Sequence, residues 1–143
     1  MSVALPISKT ISLKFNNLNL KNTFSLVFSA RKGVQTKVFY DFARSINMPE
    51  KNLAAILNLS PRTLSNYKEQ GKTLEPSHSE HLLKLIALYS KGETIFGNIT
   101  ELNYWLSKPF WNAKETPMDW LITPGGVDLV AEELDKLSYG YPI

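Results

Sequence analysis

Five side chains near the middle of the sequence have the types and the spacing of a DNA-reading surface. They are Ser60, Arg62, Thr63, Asn66 and Lys68. Arginine can pair with two acceptors of guanine and asparagine can pair with adenine, whereas serine, threonine and lysine can contact phosphate. To act together, these side chains must lie on one helix whose first turn faces the DNA groove. The spacing therefore predicts a recognition helix.

The residues around this helix have the layout of a helix-turn-helix. Small residues such as Ala54 let a second helix cross closely, and Leu64 supplies a buried contact. The turn needs a left-handed residue, for which Asn58 is the best choice after glycine. Ser60 is a predicted N-cap, with Pro61 at the first helical position. A helical hairpin that only packs has the same pattern, so the sequence leaves both interpretations open.

Apolar spacing and capping residues predict an all-α chain with short connections. Ser77 and Glu80 form a capping-box pair at the start of a long helix. Gly92 inside that helix predicts a bend or weak last turns, because glycine costs about 1 kcal/mol relative to alanine. Thr123 caps the last predicted helix.

Charge is divided unevenly along the chain. The 143 residues carry a formal net charge of +3. Residues 1–40 contain six basic residues and no acidic one, whereas residues 77–143 contain five basic and nine acidic residues. This division indicates two different partners. Residues 1–22, in which the apolar positions alternate at Ile11, Leu13 and Phe15, are predicted to form an irregular arm with at most one strand.

The sequence offers little for catalysis. It contains no cysteine, which excludes disulfides and thiol chemistry and fits a cytoplasmic location. No apolar run approaches the ~20 residues that span a membrane, and no phosphate-binding glycine loop is present. His78 and His81 could share a helix face, but a metal site needs further ligands. We therefore expect a non-enzymatic protein without cofactor, metal or membrane segment; a small metal-dependent enzyme is the weakest alternative.

Aromatic residues are concentrated in the last third of the chain. Three tryptophans lie within sixteen residues, at Trp105, Trp111 and Trp120. This density is typical either of a core between short helices or of a binding hot spot. Two tyrosines, Tyr139 and Tyr141, lie on either side of Gly140 beyond the last predicted helix. Such a segment either folds back onto the core or inserts into a partner.

An ordered series of motifs resembles antitoxins of the Xre/MbcA/ParS type. The similarity covers roughly residues 23–143. The motifs, in chain order, are Arg62-Thr63-Leu64, Ser79-Glu80-His81-Leu82-Leu83-Lys84-Leu85, Phe96-Gly97, Trp105-Leu106-x-x-Pro109, Thr116-Pro117-x-x-Trp120-Leu121-x-Thr123-Pro124-x-Gly126, Val130-x-x-x-Leu134 and Tyr139-Gly140. Any one of these motifs is weak evidence, but their shared order is specific.

The resemblance implies an Xre-like helix-turn-helix bundle over residues 23–75, preceded by the basic arm of residues 1–22. A small helical toxin-binding domain would follow over residues 76–143. The family further implies a homodimer that belongs to a bacterial type II toxin–antitoxin system and represses its own operon by binding operator DNA.

The same resemblance implies a toxin partner and a way of neutralising it. The cognate toxin is expected to be a RES-domain protein that consumes NAD or ADP-ribosylates a target. Tyr139, Gly140 and Tyr141 would block its active site, and Glu133 and Lys136 on the preceding helix would also bind the toxin. An acidic C-terminal half suits this role, because a pocket that binds a dinucleotide phosphate should be basic.

Three positions depart from the residues usual in such proteins. Asn58 replaces the turn glycine, which bears on DNA binding, while His81 replaces an arginine and Gly92 an alanine, which bear on local stability. The alternative to an antitoxin is a stand-alone helix-turn-helix transcriptional regulator, whose tryptophan-rich C-terminal domain only dimerises.

Overall fold

The structure, a computed structural model, describes residues 10–18, 20–110 and 114–140. These ranges form eight α-helices and one 3₁₀ helix, which confirms the predicted all-α class. The elements are α1 (Thr10–Lys14), α2 (Thr23–Lys32), α3 (Thr36–Ser45), α4 (Glu50–Ile56), α5 (Pro61–Gln70), α6 (Pro76–Phe96), α7 (Ile99–Leu106), the 3₁₀ helix Pro117–Ile122 and α8 (Pro124–Ser138). None of these helices is both long and apolar enough to cross a bilayer.

Helix α6 is the centre of the fold. Helices α1, α2, α7 and α8 all pack against it. Its buried side chains lie at nearly every position of two central turns, at Leu82, Leu83, Leu85, Ile86, Leu88 and Tyr89. A helix that is apolar on most sides belongs inside a core rather than on its surface. The other helices are therefore arranged around α6.

The start of α6 differs from the prediction. The helix begins at Pro76, directly after Glu75, so the predicted capping box of Ser77 and Glu80 is wrong. Proline is favoured at the first helical position because its fixed φ suits the helix and its missing N–H is not needed there. The buried serine of this turn is Ser79, whose Oγ accepts a hydrogen bond from the Val34 N–H at 2.9 Å.

Within the predicted arm, residues Thr10–Lys14 form α1, and this helix packs against the core. Ile11 and Phe15, four residues apart, both point inward from α1, while Leu13 is 72% exposed. The Ile11 N–H donates to Glu93 Oε1 at 2.9 Å. The rings of Phe15 and Phe42 pack edge to face, with 6.0 Å between their centroids. The apolar residues 11, 13 and 15 alternate as in a strand, but positions i and i+4 also share a helix face.

Gly92 does not interrupt α6, which continues to Phe96. A Cβ atom at Gly92 would lie 2.5 Å from Leu102 Cδ1, so the glycine allows α7 to approach closely. Gly126 has the same role at the start of α8, where an added Cβ would collide with the carbonyl oxygen of Trp120. These glycines are needed for the packing of neighbouring elements.

Side-chain N-caps define most of the other helix starts, including the two predicted at Ser60 and Thr123. In each case, a side-chain oxygen accepts a hydrogen bond from a backbone N–H in the first turn. The capping residues are Asn22, Ser60, Asn98, Thr116 and Thr123. Local capping chemistry therefore fixes where α2, α5, α7, the 3₁₀ helix and α8 begin.

Candidate functional site

Helices α4 and α5 form the predicted helix-turn-helix. Asn58 has φ of 61°, so this residue adopts the left-handed conformation that the turn requires. The turn closes with a 2.9 Å hydrogen bond from the Leu59 N–H to the Ala54 carbonyl. Leu57 and Leu64 are buried between the two helices and α3. The departure from glycine at position 58 thus leaves the turn geometry intact.

The first two turns of α5 present Arg62 and Asn66 to solvent. Arg62 and Asn66 are both exposed, and their i, i+4 spacing puts them on one face of the helix. Ser60 and Thr63 bond to each other instead: Ser60 Oγ accepts from the Thr63 N–H at 3.0 Å and donates to Thr63 Oγ1 at 2.8 Å. Arg62 and Asn66 therefore differ from Ser60 and Thr63, whose hydroxyl groups are bonded to each other.

Lys68 lies apart from this face, ~120° around the helix from Arg62. Its Nζ atom is 4.6 Å from the centroid of the Tyr40 ring. Burial, and then the negative charge of Glu50, raise the pKa of Tyr40 above its ordinary value, so the ring stays neutral beneath the ammonium group. Tyr40 comes from α3, far from α5 in sequence, and no local pattern identifies it as a neighbour of Lys68.

The predicted toxin-binding residues lie at the end of α8. Tyr139 is 76% exposed, and Gly140 has φ of 83°, a left-handed conformation that ends the helix. Tyr141 lies outside the described residues. Glu133 and Lys136 form an exposed ion pair at 3.0 Å on the same helix.

Two of the four acidic residues of α8 are paired with lysines of α6. Two ion pairs join the helices: Lys84 Nζ lies 2.8 Å from Asp128 Oδ2, and Lys91 Nζ lies 2.7 Å from Asp135 Oδ1. Burial lowers the pKa of Lys84, but the hydrogen bonds and charges of Asp128 and Glu80 together outweigh it and raise the pKa above its ordinary value. The negative charge of residues 77–143 therefore serves in part to fasten α8, which the sequence alone does not reveal.

The two histidines are not equivalent. His81 is buried, and its Nε2 atom donates to the Leu121 carbonyl at 2.8 Å, which joins the 3₁₀ helix to α6. Burial lowers the pKa of His81 below its ordinary value, with smaller contributions from His78 and Lys84. Within residues 10–18, 20–110 and 114–140, no group of three or more His, Asp or Glu side chains could hold a metal ion.

The tryptophans divide between core and surface. Trp105 is half-buried and packs against Phe96 with 5.8 Å between ring centroids. Trp120 is 40% exposed. Trp111 lies outside the described residues. Trp105 fits the core interpretation, and the hot-spot interpretation of the cluster stays a prediction.

The comparisons with known proteins agree with the helix-turn-helix. Residues 25–87 match the family described as the antitoxin Xre-like helix-turn-helix domain. The protein "Antitoxin Xre" of Pseudomonas putida is 33% identical over 85 residues, which cover 56% of this chain and 51% of that protein. The chain thus spans about half the length of the curated relative it matches. Residues 25–87 are therefore similar to the helix-turn-helix domain of Xre-type antitoxins.

The family match extends beyond the predicted end of this domain. It includes α3, α4 and α5 and ends at residue 87, inside α6. The predicted boundary at residue 75 lies just before that helix begins. The division into residues 1–22, 23–75 and 76–143 stays a prediction.

Proposed function

We propose that this protein is a cytoplasmic, non-enzymatic antitoxin of a type II toxin–antitoxin system. It acts as a homodimer, binds the operator of its own operon through α5 and neutralises a RES-type toxin that consumes NAD or ADP-ribosylates a target. The observation that carries the proposal is the antitoxin-type helix-turn-helix of residues 25–87, whose recognition helix exposes Arg62 and Asn66.

The DNA-binding part rests on the geometry of α5. In helix-turn-helix proteins, the N-terminal residues of the second helix contact base edges. Arg62 suits guanine and Asn66 suits adenine, because each side chain can make two hydrogen bonds to its base. The capped first turn, held by Ser60 and Thr63, fixes the direction in which both side chains leave the helix.

Substitution of Arg62 tests this part. We expect Arg62→Ala to weaken binding to the duplex upstream of its own gene by roughly 1–3 kcal/mol, since the bonds to a base are lost. The measurement is a fluorescence anisotropy titration at fixed salt. Lys108→Ala removes one exposed positive charge outside the helix-turn-helix and is the matched control. Equal DNA affinities of the two variants would contradict the proposal and indicate that α4 and α5 only pack against the core.

The toxin-binding part rests on the end of α8. The ion pairs Lys84–Asp128 and Lys91–Asp135 hold α8 on α6, so the exposed Tyr139 projects from a fixed support. A large aromatic side chain presented in this way is typical of a residue that fills a partner's pocket. We infer that Tyr139, Gly140 and Tyr141 block the entrance to the toxin active site, supported by Glu133 and Lys136.

Co-expression with the toxin tests the second part. Tyr139→Ala, and deletion of residues 139–143, are expected to abolish rescue of growth and capture of the toxin in a pull-down. DNA binding should be unchanged, because these residues lie outside the helix-turn-helix. Phe24→Ala is the control, since Phe24 on α2 is as exposed as Tyr139, at 78%. Full rescue by the truncated protein would contradict the blocking role.

The same experiment separates the antitoxin from a stand-alone regulator. If the protein is a stand-alone regulator, the exposed Tyr104 and Trp120 of the C-terminal half form a surface for dimerisation only. A regulator would bind its operator and lose its dimeric mass on Trp120→Ala, yet the product of the neighbouring gene would be harmless. A toxic neighbouring product that this protein captures favours the antitoxin.

A further inference from the structure

A basic groove of about 600 Å³ lies between α1, α2 and α3, outside the helix-turn-helix. Its lining includes three lysines, Lys14, Lys32 and Lys37, and one acidic residue, Asp41. Asp41 forms ion pairs with Lys37 at 3.7 Å and with Arg44 at 3.3 Å. Positive charge therefore exceeds negative charge around this groove.

The docking of α1 brings Lys14 to the groove. The Ile11 N–H bonds to the buried Glu93 carboxylate, and Phe15 packs against Phe42 of α3. Lys14 lies between these two anchors in sequence and stays exposed. Basic residues that are far apart in the sequence thus converge on one surface instead of forming a loose charged arm.

The groove adjoins the segment that follows the recognition helix. Gln35 and Thr73 form an antiparallel bridge, and Thr36 Oγ1 donates to the Lys72 carbonyl at 2.8 Å. The start of α3 is therefore bonded directly to the chain that leaves α5. Lys72 on that segment is exposed, with its Nζ atom 5.4 Å from the Tyr67 ring centroid. Lys72 thus adds a positive charge on the segment that is bonded to the start of α3.

We propose that Lys14, Lys32, Lys37 and Lys72, here called the basic track, bind the phosphate backbone of duplex DNA beside the site read by α5. The inference rests on the proposed DNA binding of α5 and extends its contact surface. Lysine ammonium groups suit phosphate as point charges, and such contacts carry no sequence information. The basic track therefore contributes affinity and orientation, while Arg62 and Asn66 supply specificity.

The test is the salt dependence of DNA binding by the full chain. Two duplexes of equal length are used, one from upstream of its own gene and one of random sequence, between about 50 and 200 mM salt. We expect Lys32→Gln/Lys37→Gln to lower the magnitude of the negative slope of log K against log salt by about 2, on both duplexes. Adding Lys14→Gln should lower it by about 1 more.

The control removes the same charge elsewhere. Lys108→Gln/Lys114→Gln lowers the net charge equally, from exposed positions in the C-terminal half, and should leave the slope close to that of the wild type. Asp41→Asn changes the net charge in the opposite direction, because it removes a negative charge. It releases Lys37 from its ion pair and is expected to tighten DNA binding at low salt. Thermal melts of all variants verify that the fold is retained.

Two negative results have different meanings. If the wild type binds DNA but the track and control variants have the same slope, the basic track faces another partner, such as an acidic protein, and this inference is overturned. If the wild type binds neither duplex, the DNA-binding part of the proposed function fails together with it.

Discussion

At the scale of the residue, the junctions between helices depend on individual side chains. His81 joins the 3₁₀ helix to α6 through one hydrogen bond, while Gly92 and Gly126 leave room for their neighbours. Two of these positions, His81 and Gly92, are departures from residues usual in similar antitoxins. Their surroundings explain both residues. The buried imidazole of His81 is hydrogen-bonded to the Leu121 carbonyl, and the absence of a side chain at Gly92 leaves room for Leu102.

Gly92→Ala is expected to destabilise the protein. Helix propensity favours alanine by about 1 kcal/mol, but the new Cβ would overpack the fully buried Leu102, at a cost of roughly 1–3 kcal/mol. The measurement is the free energy of unfolding from urea titration. Gly125→Ala is the control, because no atom lies within 4 Å of a Cβ built there. A stabilised Gly92→Ala variant would show that α7 does not approach α6 this closely.

The protein should lose stability as the pH falls below the ordinary histidine pKa of 6.5. Because the folded-state pKa of His81 is lowered, the unfolded chain binds a proton that the folded protein does not. Unfolding therefore becomes easier by at most about 1.4 kcal/mol per pH unit, until the folded protein is protonated too. Urea titrations between neutral and mildly acidic pH measure this slope. The slope should decrease in His81→Gln; an identical slope in that variant would assign the effect to another group.

At the scale of the element, α1 belongs to the core of the molecule. Ile11→Ala is expected to cost about 2–5 kcal/mol of unfolding free energy, as for other fully buried aliphatic residues. Leu13→Ala on the same helix should change it by less than about 0.5 kcal/mol, since Leu13 is largely exposed. Urea midpoints give both values. Equal, small effects would mean that α1 does not pack on α6 in solution.

Elements whose signals are local can be predicted from the sequence. The turn at Asn58 and the caps at Ser60 and Thr123 each depend on residues within one helical turn, and all three match the structure. The position of α1 depends on Glu93, 82 residues away, and no local pattern indicates it. The basic track likewise forms only when α1 and α3 are in place.

At the scale of the whole molecule, α6 connects the two predicted halves. Leu26 and Ala30 of α2 are buried, and α2 packs against α6, which lies beyond the predicted boundary at residue 75. A fragment of residues 23–75 would expose this apolar face. We therefore expect the fragment to show no cooperative thermal transition by circular dichroism, whereas the full chain unfolds in one transition. A cooperative melt of the fragment would establish it as an independent domain.

The hydrogen bond between Ile11 and Glu93 also bears on how the chain folds during synthesis. The N–H donor is made 82 residues before its carboxylate acceptor. At roughly 5–20 residues per second, translation of the intervening segment takes about 4–16 s. During that interval α1 has neither its hydrogen-bond partner nor α6 to cover Ile11 and Phe15. The nascent N-terminal segment is therefore exposed to proteases and chaperones until α6 has left the ribosome.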